Sequence, residues 1–302
     1  MRTQVKVLSG RTYSADLRSG VDIGIALEFD AAQPNAFGAP PASAKPFSIS
    51  GYVLDTAQGG SCNVSVVTVN PHCNGTHTES VRHIADDGPS VIEVVPTGLI
   101  GATLISVEPE LWSATADQYA PTDTPVIPKE RQRLRDPSVE AGVPRIARDD
   151  GRLGDRIITK RGLEPLCSVE DESFLEAVVV RTIPNDPEKR THDYSERPGP
   201  YLSIEAIHLL LELGVSHLLV DTASVDRADD EGRMRVHRLW FGVPDGSFTV
   251  GPGAASHRTI TEMTYVPEAL PDGPYLLQIQ VAPFALDASP SRPVLFRVTS
   301  SF

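Results

Sequence analysis

The chain contains few cysteines and no long apolar run, and both shortages exclude whole classes of protein. Three cysteines occur in 302 residues, an odd number without regular spacing, which argues against a disulfide framework. No apolar run approaches the roughly 20 residues that a membrane-spanning helix needs. Residues 1–10 also have no apolar core of the kind found in a secretory signal. We therefore expect a protein of the reducing cytoplasm without a membrane segment.

Basic residues are also scarce. The 27 lysines and arginines are outnumbered by 40 aspartates and glutamates, which gives a net charge of −13. Because contacts to phosphates need clustered lysine and arginine, this balance argues against binding to nucleic acid or to an anionic membrane. The chain has no glycine-rich phosphate loop. It also lacks the Gly-x-Ser-x-Gly elbow, and this second absence argues against a serine hydrolase. The expected partner is a small-molecule substrate.

Apolar residues make up 40% of the chain, and their pattern predicts an α/β fold with a mixed sheet core and flanking helices. Runs rich in β-branched residues, typical of strands, recur along the whole length. We expect strands at 21–27, 64–69, 91–95, 157–160, 175–183, 217–221, 260–265, 275–282 and 294–298. One helix is well marked, since Ser203 can cap its start and Gly214 can end it. Residues 234–241 form a second expected helix.

Three long segments interrupt these elements. They span residues 117–152, which are rich in proline, arginine and aspartate, residues 184–200 and residues 243–258. Loops of such length in a compact domain tend to be functional or mobile. We expect a single domain over residues 1–302, with these three segments as insertions.

The most informative stretch is H-C-N-G-T-H-T-E-S, residues 72–80. Cys73, His77 and Glu79 place a thiolate, an imidazole and a carboxylate within seven positions, and His83 follows four residues later. These side chains hold zinc-like divalent ions, and a site with a carboxylate ligand is more often catalytic than purely structural. In an extended segment His77 and Glu79 face the same side. The stretch therefore predicts the metal centre of an enzyme.

Single residues of these types are weaker evidence than the cluster. A lone cysteine is usually a small buried hydrophobe, which is our interpretation of Cys62 and Cys167. A lone histidine is more often a hydrogen-bonded residue than a ligand. Within the cluster, His72 competes with Cys73, because adjacent residues on a strand face opposite ways and only one should reach the ion.

Residues 73–79, C-N-G-T-H-T-E, resemble the H-x-G-T-H-x-D signature of the cyclase family, whose best-known members are the bacterial kynurenine formamidases. The family motif continues as x-P-x-H, and this span is S-V-R-H in residues 80–83. Three positions depart from the pattern: Cys73 stands for the first histidine, Glu79 for the aspartate and Val81 for the proline. These departures make the chain resemble a divergent subgroup of the family. Both replacement ligands can still bind zinc, so we expect the metal site to survive the changes.

The resemblance extends over most of the chain. Five segments carry it. Residues 22–27 resemble the family's opening strand, 33–38 a loop of one subgroup, and 214–226 a core strand with its loop, while 278–283 and 289–292 resemble the closing strand and loop. Residues 236–239 resemble the family's H-R-x-L helix, and I-T-E-M at 260–263 resembles its I-x-E-N strand. The resemblance thereby implies His237 and Glu262 as further metal ligands. His257 lies in the widened gap between them, and we interpret it as a surface residue.

The resemblance implies the swivelling β/β/α-type cyclase fold, a homo-oligomer such as a dimer or tetramer, and a metal-dependent amidohydrolase. Cys73, His77 and Glu79 would hold one divalent ion, and His237 and Glu262 would complete a second site with Glu79 bridging. Zinc, manganese and iron all suit these donors; the thiolate favours zinc, with manganese as the alternative.

The expected reaction is hydrolysis of a formamide-like C–N bond, or of an ester or lactone bond, in a small molecule. A bound ion lowers the pKa of water from about 15.7 toward about 7 and so supplies the nucleophile. His83, off the ligand set, would act as the general acid/base. Two alternatives stay open: a metal-dependent lyase or dehydratase in which His83 abstracts a proton, and a non-catalytic descendant that binds a metal or small molecule.

Overall fold

The structure, a computed structural model, describes residues 2–6, 10–29, 31–119 and 154–300. The predicted insertion at 117–152 lies outside these ranges apart from its first three residues. The strands are β1 (Arg2–Lys6), β2 (Thr12–Asp16), β3 (Val21–Asp22), β4 (Ser43–Pro46), β5 (Ser48–Ile49), β6 (Tyr52–Val53), β7 (Ser65–Thr68), β8 (His77–Glu79), β9 (Ile100–Val107), β10 (Glu110–Leu111), β11 (Arg156–Ile158), β12 (Ala177–Thr182), β13 (Tyr201–Leu202), β14 (His217–Val220), β15 (Thr259–Glu262), β16 (Gly273–Val281) and β17 (Ala288–Ser300). The α-helices are α1 (Pro71–Asn74), α2 (Val91–Val94), α3 (Lys160–Leu163), α4 (Ile204–Glu212) and α5 (Arg235–Phe241).

Seven of the strands close into a mixed barrel-like sheet. Its order is β17-β16-β9-β12-β14-β15-β8, and β8 pairs with β17 to complete the ring. Strands β9, β12, β14 and β15 run parallel to their neighbours in this group, whereas β8, β16 and β17 pair antiparallel. Strands β1, β2 and β3 extend the sheet beside β17, and the described residues form three further small sheets outside it. The predicted α/β fold with a mixed sheet core is confirmed.

The central parallel strands are apolar on both faces because both faces are covered. On β12, Val178 and Val180 pack with the helices, whereas Ala177 and Val179 belong to a second core cluster. Every residue of β12 is buried. This pattern is typical of parallel sheets, whose strands are near-continuous apolar runs instead of alternating ones. It explains why the short apolar run within residues 175–183 predicts this strand correctly.

Helix α4 covers one side of this sheet, and its capping matches the prediction. The Ser203 hydroxyl accepts a hydrogen bond from the backbone N–H of Ala206 at 2.9 Å. Ile207 and Leu210 on one face are fully buried, whereas His208 is exposed. The chain leaves the helix through Gly214, whose φ of +75° lies in the left-handed region that glycine adopts readily. The second predicted helix is also confirmed, as α5.

The strand predicted at 91–95 is wrong, because residues 91–94 form the short helix α2. The β-branched sequence favours an extended chain, but Ser90, the residue before it, caps a helix instead. The backbone N–H of Ser90 donates to the Glu93 carboxylate at 2.8 Å, which is half of a capping box. Among the described helices, none has the length and apolar character needed to cross a membrane.

Two features of the closed sheet position the candidate site. Strand β8 carries the motif residues and lies between β15 and β17, so both edges of its short backbone are paired. A 3-10 turn at Val81–His83 follows β8, and the Ser80 hydroxyl accepts from the N–H of Arg82 at its start. The motif is therefore held by the ring closure itself and not by a free loop.

Candidate metal centre

Two antiparallel strands bring three of the predicted ligands together. Strands β8 and β15 pair so that His77 lies directly opposite Glu262, and Glu79 lies opposite Ile260. Directly opposed residues share a face of the sheet, and so do residues two apart on one strand. His77, Glu79 and Glu262 consequently project into one buried space, with exposures of 0, 0 and 3%. The widened gap before Glu262 does not move it out of the site.

His77 has one ring nitrogen held by the backbone and the other aimed at a carboxylate. Its Nδ1 lies 3.0 Å from the carbonyl oxygen of Gly75. Its Nε2 lies 3.3 Å from Glu262 Oε2. A ring fixed in this way cannot turn, so its Nε2 stays directed at the carboxylates.

Helix α5 adds His237 from the other side. The Asp226 carboxylate accepts from the backbone N–H groups of Val236 and His237, at 2.7 and 3.2 Å, and contacts the His237 Nδ1. This side chain both caps the start of α5 and fixes the imidazole. The Nε2 of His237 then lies 2.8 Å from Glu79 Oε1 and 3.8 Å from Glu262 Oε1.

The inward atoms of this cluster are unusual because they are buried without hydrogen-bond partners. They are the Nε2 atoms of His77 and His237 and both carboxylate oxygens of Glu79. The 2.8 Å approach of His237 to Glu79 does not have hydrogen-bond geometry. Burying such polar atoms without partners costs several kcal/mol, so they need another partner. Imidazole nitrogen and carboxylate oxygen are the donors that a divalent cation takes, and the residues present fit such an ion.

His83 lies at the outer edge of the cluster. Its side chain is 24% exposed, its Nε2 is 3.8 Å from Glu79 Oε2, and its Nδ1 is 3.4 Å from Asp287 Oδ2. It forms one of the groups that could hold an ion, with Glu79 and His237. The sequence assigns His83 to proton transfer next to the metal, and its position on the solvent side of the buried donors is compatible with that role.

His72 and Asp287 complete the cluster. The Nδ1 of His72 lies 3.2 Å from Glu79 Oε2, and its Nε2 lies 2.8 Å from Asp287 Oδ2. The His72 ring stacks on His83 with the centroids 4.2 Å apart. Asp287 and Asp226 are the two residues of the site that sequence reasoning missed. Asp226 falls in a segment matched to the family, but no pattern marks Asp287, which lies just before the last strand.

Cys73 lies beside this cluster on α1. Its side chain is buried, with 7% exposure. Its sulfur belongs to none of the groups of closely spaced donors found among the described residues. Burial, together with the negative charge of Glu262, raises the pKa of the thiol to about 11. The assignment of Cys73 as a ligand stays a prediction.

The electrostatics of the site are dominated by its carboxylates. Burial raises the pKa of Glu79, but the charges of His83 and His237 outweigh it and hold that pKa well below its usual range. Burial lowers the pKa of His72, but Asp287 and Glu79 outweigh it and raise it to about 10. Burial likewise lowers the pKa of His237, and Glu79 and Asp226 raise it well above its usual value. Negative charge that draws protons onto buried imidazoles also favours a cation.

Comparison with protein-family models matches residues 21–227 to the family described as putative cyclase, which is more than half of the chain. The chain belongs to the putative cyclase family. The family resemblance carried by residues 73–83 is therefore confirmed. Comparison with curated proteins gives no match.

Solved structures of this fold match most of the chain at low sequence identity. A predicted metal-dependent hydrolase from Bacillus stearothermophilus matches with a TM-score of 0.53 at 15% identity, covering 92% of this chain and 98% of that one. Isatin hydrolase A from Labrenzia aggregata matches with a TM-score of 0.54 at 13% identity, covering 92% and 93%. A potential metal-dependent hydrolase with cyclase activity gives 0.53 at 14%, covering 92% and 97%. Such likeness concerns the fold, and the predicted cyclase fold is confirmed.

Proposed function

We propose that this protein is a metal-dependent hydrolase that cleaves a formamide-like C–N bond, or an ester or lactone bond, in a small molecule. One observation carries the proposal: in a buried group of imidazoles and carboxylates, the Nε2 atoms of His77 and His237 and both oxygens of Glu79 have no hydrogen-bond partner. His77, Glu79, His237 and Glu262 form the proposed donor set. Membership of the cyclase family and the fold shared with hydrolases support it.

Some residues of the site are proposed metal ligands, and others orient those ligands by hydrogen bonds. A bound divalent ion would supply a Lewis acid and would lower the pKa of water enough to provide a nucleophile near neutral pH. Gly75 and Asp226 fix the rings of His77 and His237, so that both Nε2 atoms face the carboxylates. Such outer partners raise the basicity of a ligand and keep it in one orientation.

His83 is the proposed general acid/base. Its Nδ1 faces Asp287, so its Nε2, on the side of Glu79, is the nitrogen that can take a proton and return it to a leaving group. Its partial exposure gives a substrate access that the fully buried His77 and His237 do not have. Proton transfer by a positioned imidazole contributes roughly 10²- to 10⁴-fold to a rate.

The first experiment is a substrate screen on protein purified without chelator and loaded with zinc or manganese. The panel contains formamides, esters and lactones, with isatin added because one structure of the same fold is an isatin hydrolase. We expect turnover of at least one class, lost on chelation and restored by the metal. Absence of bound metal in the wild-type protein would contradict the proposal and would favour a non-catalytic descendant.

A variant tests the role of His83 separately from metal binding. His83→Ala should lower turnover about 10²- to 10⁴-fold while the metal content per chain stays at the wild-type value. His208→Ala, which removes an exposed imidazole on α4, is the matched control and should change neither. Loss of the metal in His83→Ala would show that His83 is a ligand instead.

Reaction in ¹⁸O-labelled water separates hydrolysis from elimination. Hydrolysis incorporates one labelled oxygen atom into the product acid, because the attacking water forms a new C–O bond. A lyase or dehydratase forms a double bond and leaves the organic product unlabelled. An unlabelled product would overturn hydrolysis in favour of the lyase.

A further inference from the structure

We propose that His72, and not Cys73, supplies the metal ligand from α1, and that Asp287 positions it. The centre then consists of nitrogen and oxygen donors only. This inference rests on the proposed function, since it assigns a ligand of the same site. It departs from the motif alignment, in which Cys73 occupies the position of the family's first histidine.

The first support is distance. One donor atom from each of His72, His77 and Glu79 lies within 4.8 Å of the others, which is close enough for the three to share an ion. The His72 Nδ1 is 3.2 Å from Glu79 Oε2, on the opposite oxygen of that carboxylate from His237. Among the described residues, Cys73 enters no such group.

The second support is the way the ring is held. The Nε2 of His72 faces Asp287 Oδ2 at 2.8 Å, which leaves Nδ1 for the interior. His237 is held in the same manner by Asp226, and His77 by the carbonyl of Gly75. Metal-bound histidines regularly have their second nitrogen fixed by a carboxylate or a carbonyl oxygen. All three imidazoles follow this rule.

The third support is the local backbone. His72 and Cys73 are consecutive in α1, a single helical turn that begins at Pro71. Consecutive side chains of a helix point about 100° apart, because one turn takes 3.6 residues, so only one of them can be directed at Glu79. The structure directs His72 there. Cys73 is buried beside it, where a cysteine behaves as a small hydrophobe.

The assignment changes the expected metal. A thiolate ligand is the feature that favours zinc over manganese or iron. Without it, the donor set consists of imidazoles and carboxylates, which suit zinc and also the harder divalent ions. The proposed centre should therefore accept manganese as well as zinc.

A spectroscopic experiment tests the ligand directly. In the variant Cys62→Ser/Cys167→Ser, Cys73 is the remaining thiol of the chain. X-ray absorption on the zinc-loaded variant distinguishes a sulfur neighbour at about 2.3 Å from nitrogen and oxygen at about 2.0–2.1 Å. We expect nitrogen and oxygen neighbours only. A sulfur neighbour that disappears in the additional variant Cys73→Ala would overturn the inference.

Metal affinity provides a second, independent readout. Zinc affinity, measured by competition with a chelator, should be unchanged in Cys73→Ala and in the control His208→Ala. Asp287→Asn should lower it about 10- to 100-fold, the usual cost of removing an outer partner, and His72→Ala by more. Circular dichroism verifies folding; if His72→Ala does not fold, Asp287→Asn carries the test. Affinity lost in Cys73→Ala but kept in His72→Ala and Asp287→Asn would overturn the inference.

The two proposals fail in different ways. Zinc bound through sulfur overturns the assignment of His72 and leaves the proposed hydrolase intact. A wild-type chain that binds no ion overturns the proposed function, and this inference with it. Zinc bound through nitrogen and oxygen, lost on replacing His72, supports both.

Discussion

The buried carboxylate of Glu79 depends on the neighbouring imidazoles to remain ionised. Its carboxylate is inaccessible to water, and its two oxygens face His237 on one side and His72 and His83 on the other. A lone buried carboxylate would take up a proton, because burial disfavours the charged form. The surrounding imidazoles hold it ionised instead. A carboxylate kept ionised in this way would remain available as a metal ligand, and the bridging role of Glu79 stays a prediction.

A histidine outside the site gives a prediction about pH. His217, at the start of β14, is 5% exposed, with its Nδ1 2.9 Å from the Thr259 hydroxyl. Burial and the nearby His257 lower its pKa from 6.5 to about 4. Between those values the unfolded chain binds more protons than the folded one. The contribution of neutral His217 to the free energy of unfolding is therefore complete above the unfolded pKa, and it is lost as the pH falls toward 4.

The corresponding experiment compares urea unfolding of the wild type and His217→Asn between pH 7 and pH 4. We expect the wild-type free energy of unfolding to fall by up to about 3 kcal/mol more than that of the variant, the value of the full pKa shift. His208→Asn, at an exposed site, should follow the wild type. Equal pH dependence in wild type and His217→Asn would show that His217 does not titrate differently on folding.

At the scale of the elements, close packing against β9 leaves no room for a side chain at one glycine. A Cβ atom added at Gly101 would lie 1.9 Å from the backbone carbonyl oxygen of Ser173. That oxygen belongs to a 3-10 turn at Glu172–Phe174 that packs on the strand, so it cannot move aside as a flexible side chain would. The glycine is needed for space and not for an unusual φ.

Gly101→Ala should therefore lower the free energy of unfolding by about 1–3 kcal/mol or more, the usual cost of overpacking a core. Gly98→Ala is the matched control, because no atom lies within 4 Å of an added Cβ and its φ is not positive. It should change stability by less than about 0.5 kcal/mol. Chemical denaturation of the three proteins measures both effects. Equal stability of the two variants would refute the close approach.

Elements also show where sequence reasoning fails. The largely apolar runs in β12 and β14 predict strands correctly, since a strand buried on both faces has near-continuous apolar residues instead of alternating ones. Residues 91–94, V-I-E-V, are also rich in β-branched residues, yet they form the helix Val91–Val94, which has a capping box between Ser90 and Glu93 at its start. A short apolar segment is compatible with either state, and its end groups decide between them.

At the scale of the whole molecule, the candidate centre joins parts of the chain that only the closed sheet brings together. Its residues come from α1, β8, α5, β15 and the loop before β17. An ion held by all of these elements binds the folded chain and not the unfolded one, so it should stabilise the fold as a whole. The homo-oligomer and the cytoplasmic location remain predictions from sequence.

Zinc at about 100 times its dissociation constant should raise the free energy of unfolding by about 2.7 kcal/mol. Denaturation with and without a chelator measures this difference. Glu262→Gln is a suitable comparison, because its amide oxygen can still accept from the N–H of Val225, as Glu262 Oε1 does at 2.8 Å, while the charge is removed. The variant should lose most of the stabilisation. Equal stabilisation of both proteins would place the ion elsewhere.

The local pattern of residues was sufficient to predict that imidazole and carboxylate side chains share one face of a strand. Imidazole and carboxylate donors at 77 and 79, on a short extended segment, require only the alternation of side chains along a strand. The central strands and the capped helix α4 likewise follow from neighbours in sequence. The family motif then added His237 and Glu262, which the structure places beside Glu79 and His77 respectively.

Two features depended on long-range contacts: which of the adjacent residues His72 and Cys73 faces Glu79, and which residue orients it. His72 and Asp287 lie 215 positions apart and meet because β8 pairs with β17. Nothing near His72 in the sequence indicates that a carboxylate will fix its ring. The closure of the sheet depends on the pairing of strands that are distant in sequence. Because this closure fixes where α1 lies, it also directs His72 instead of Cys73 at Glu79.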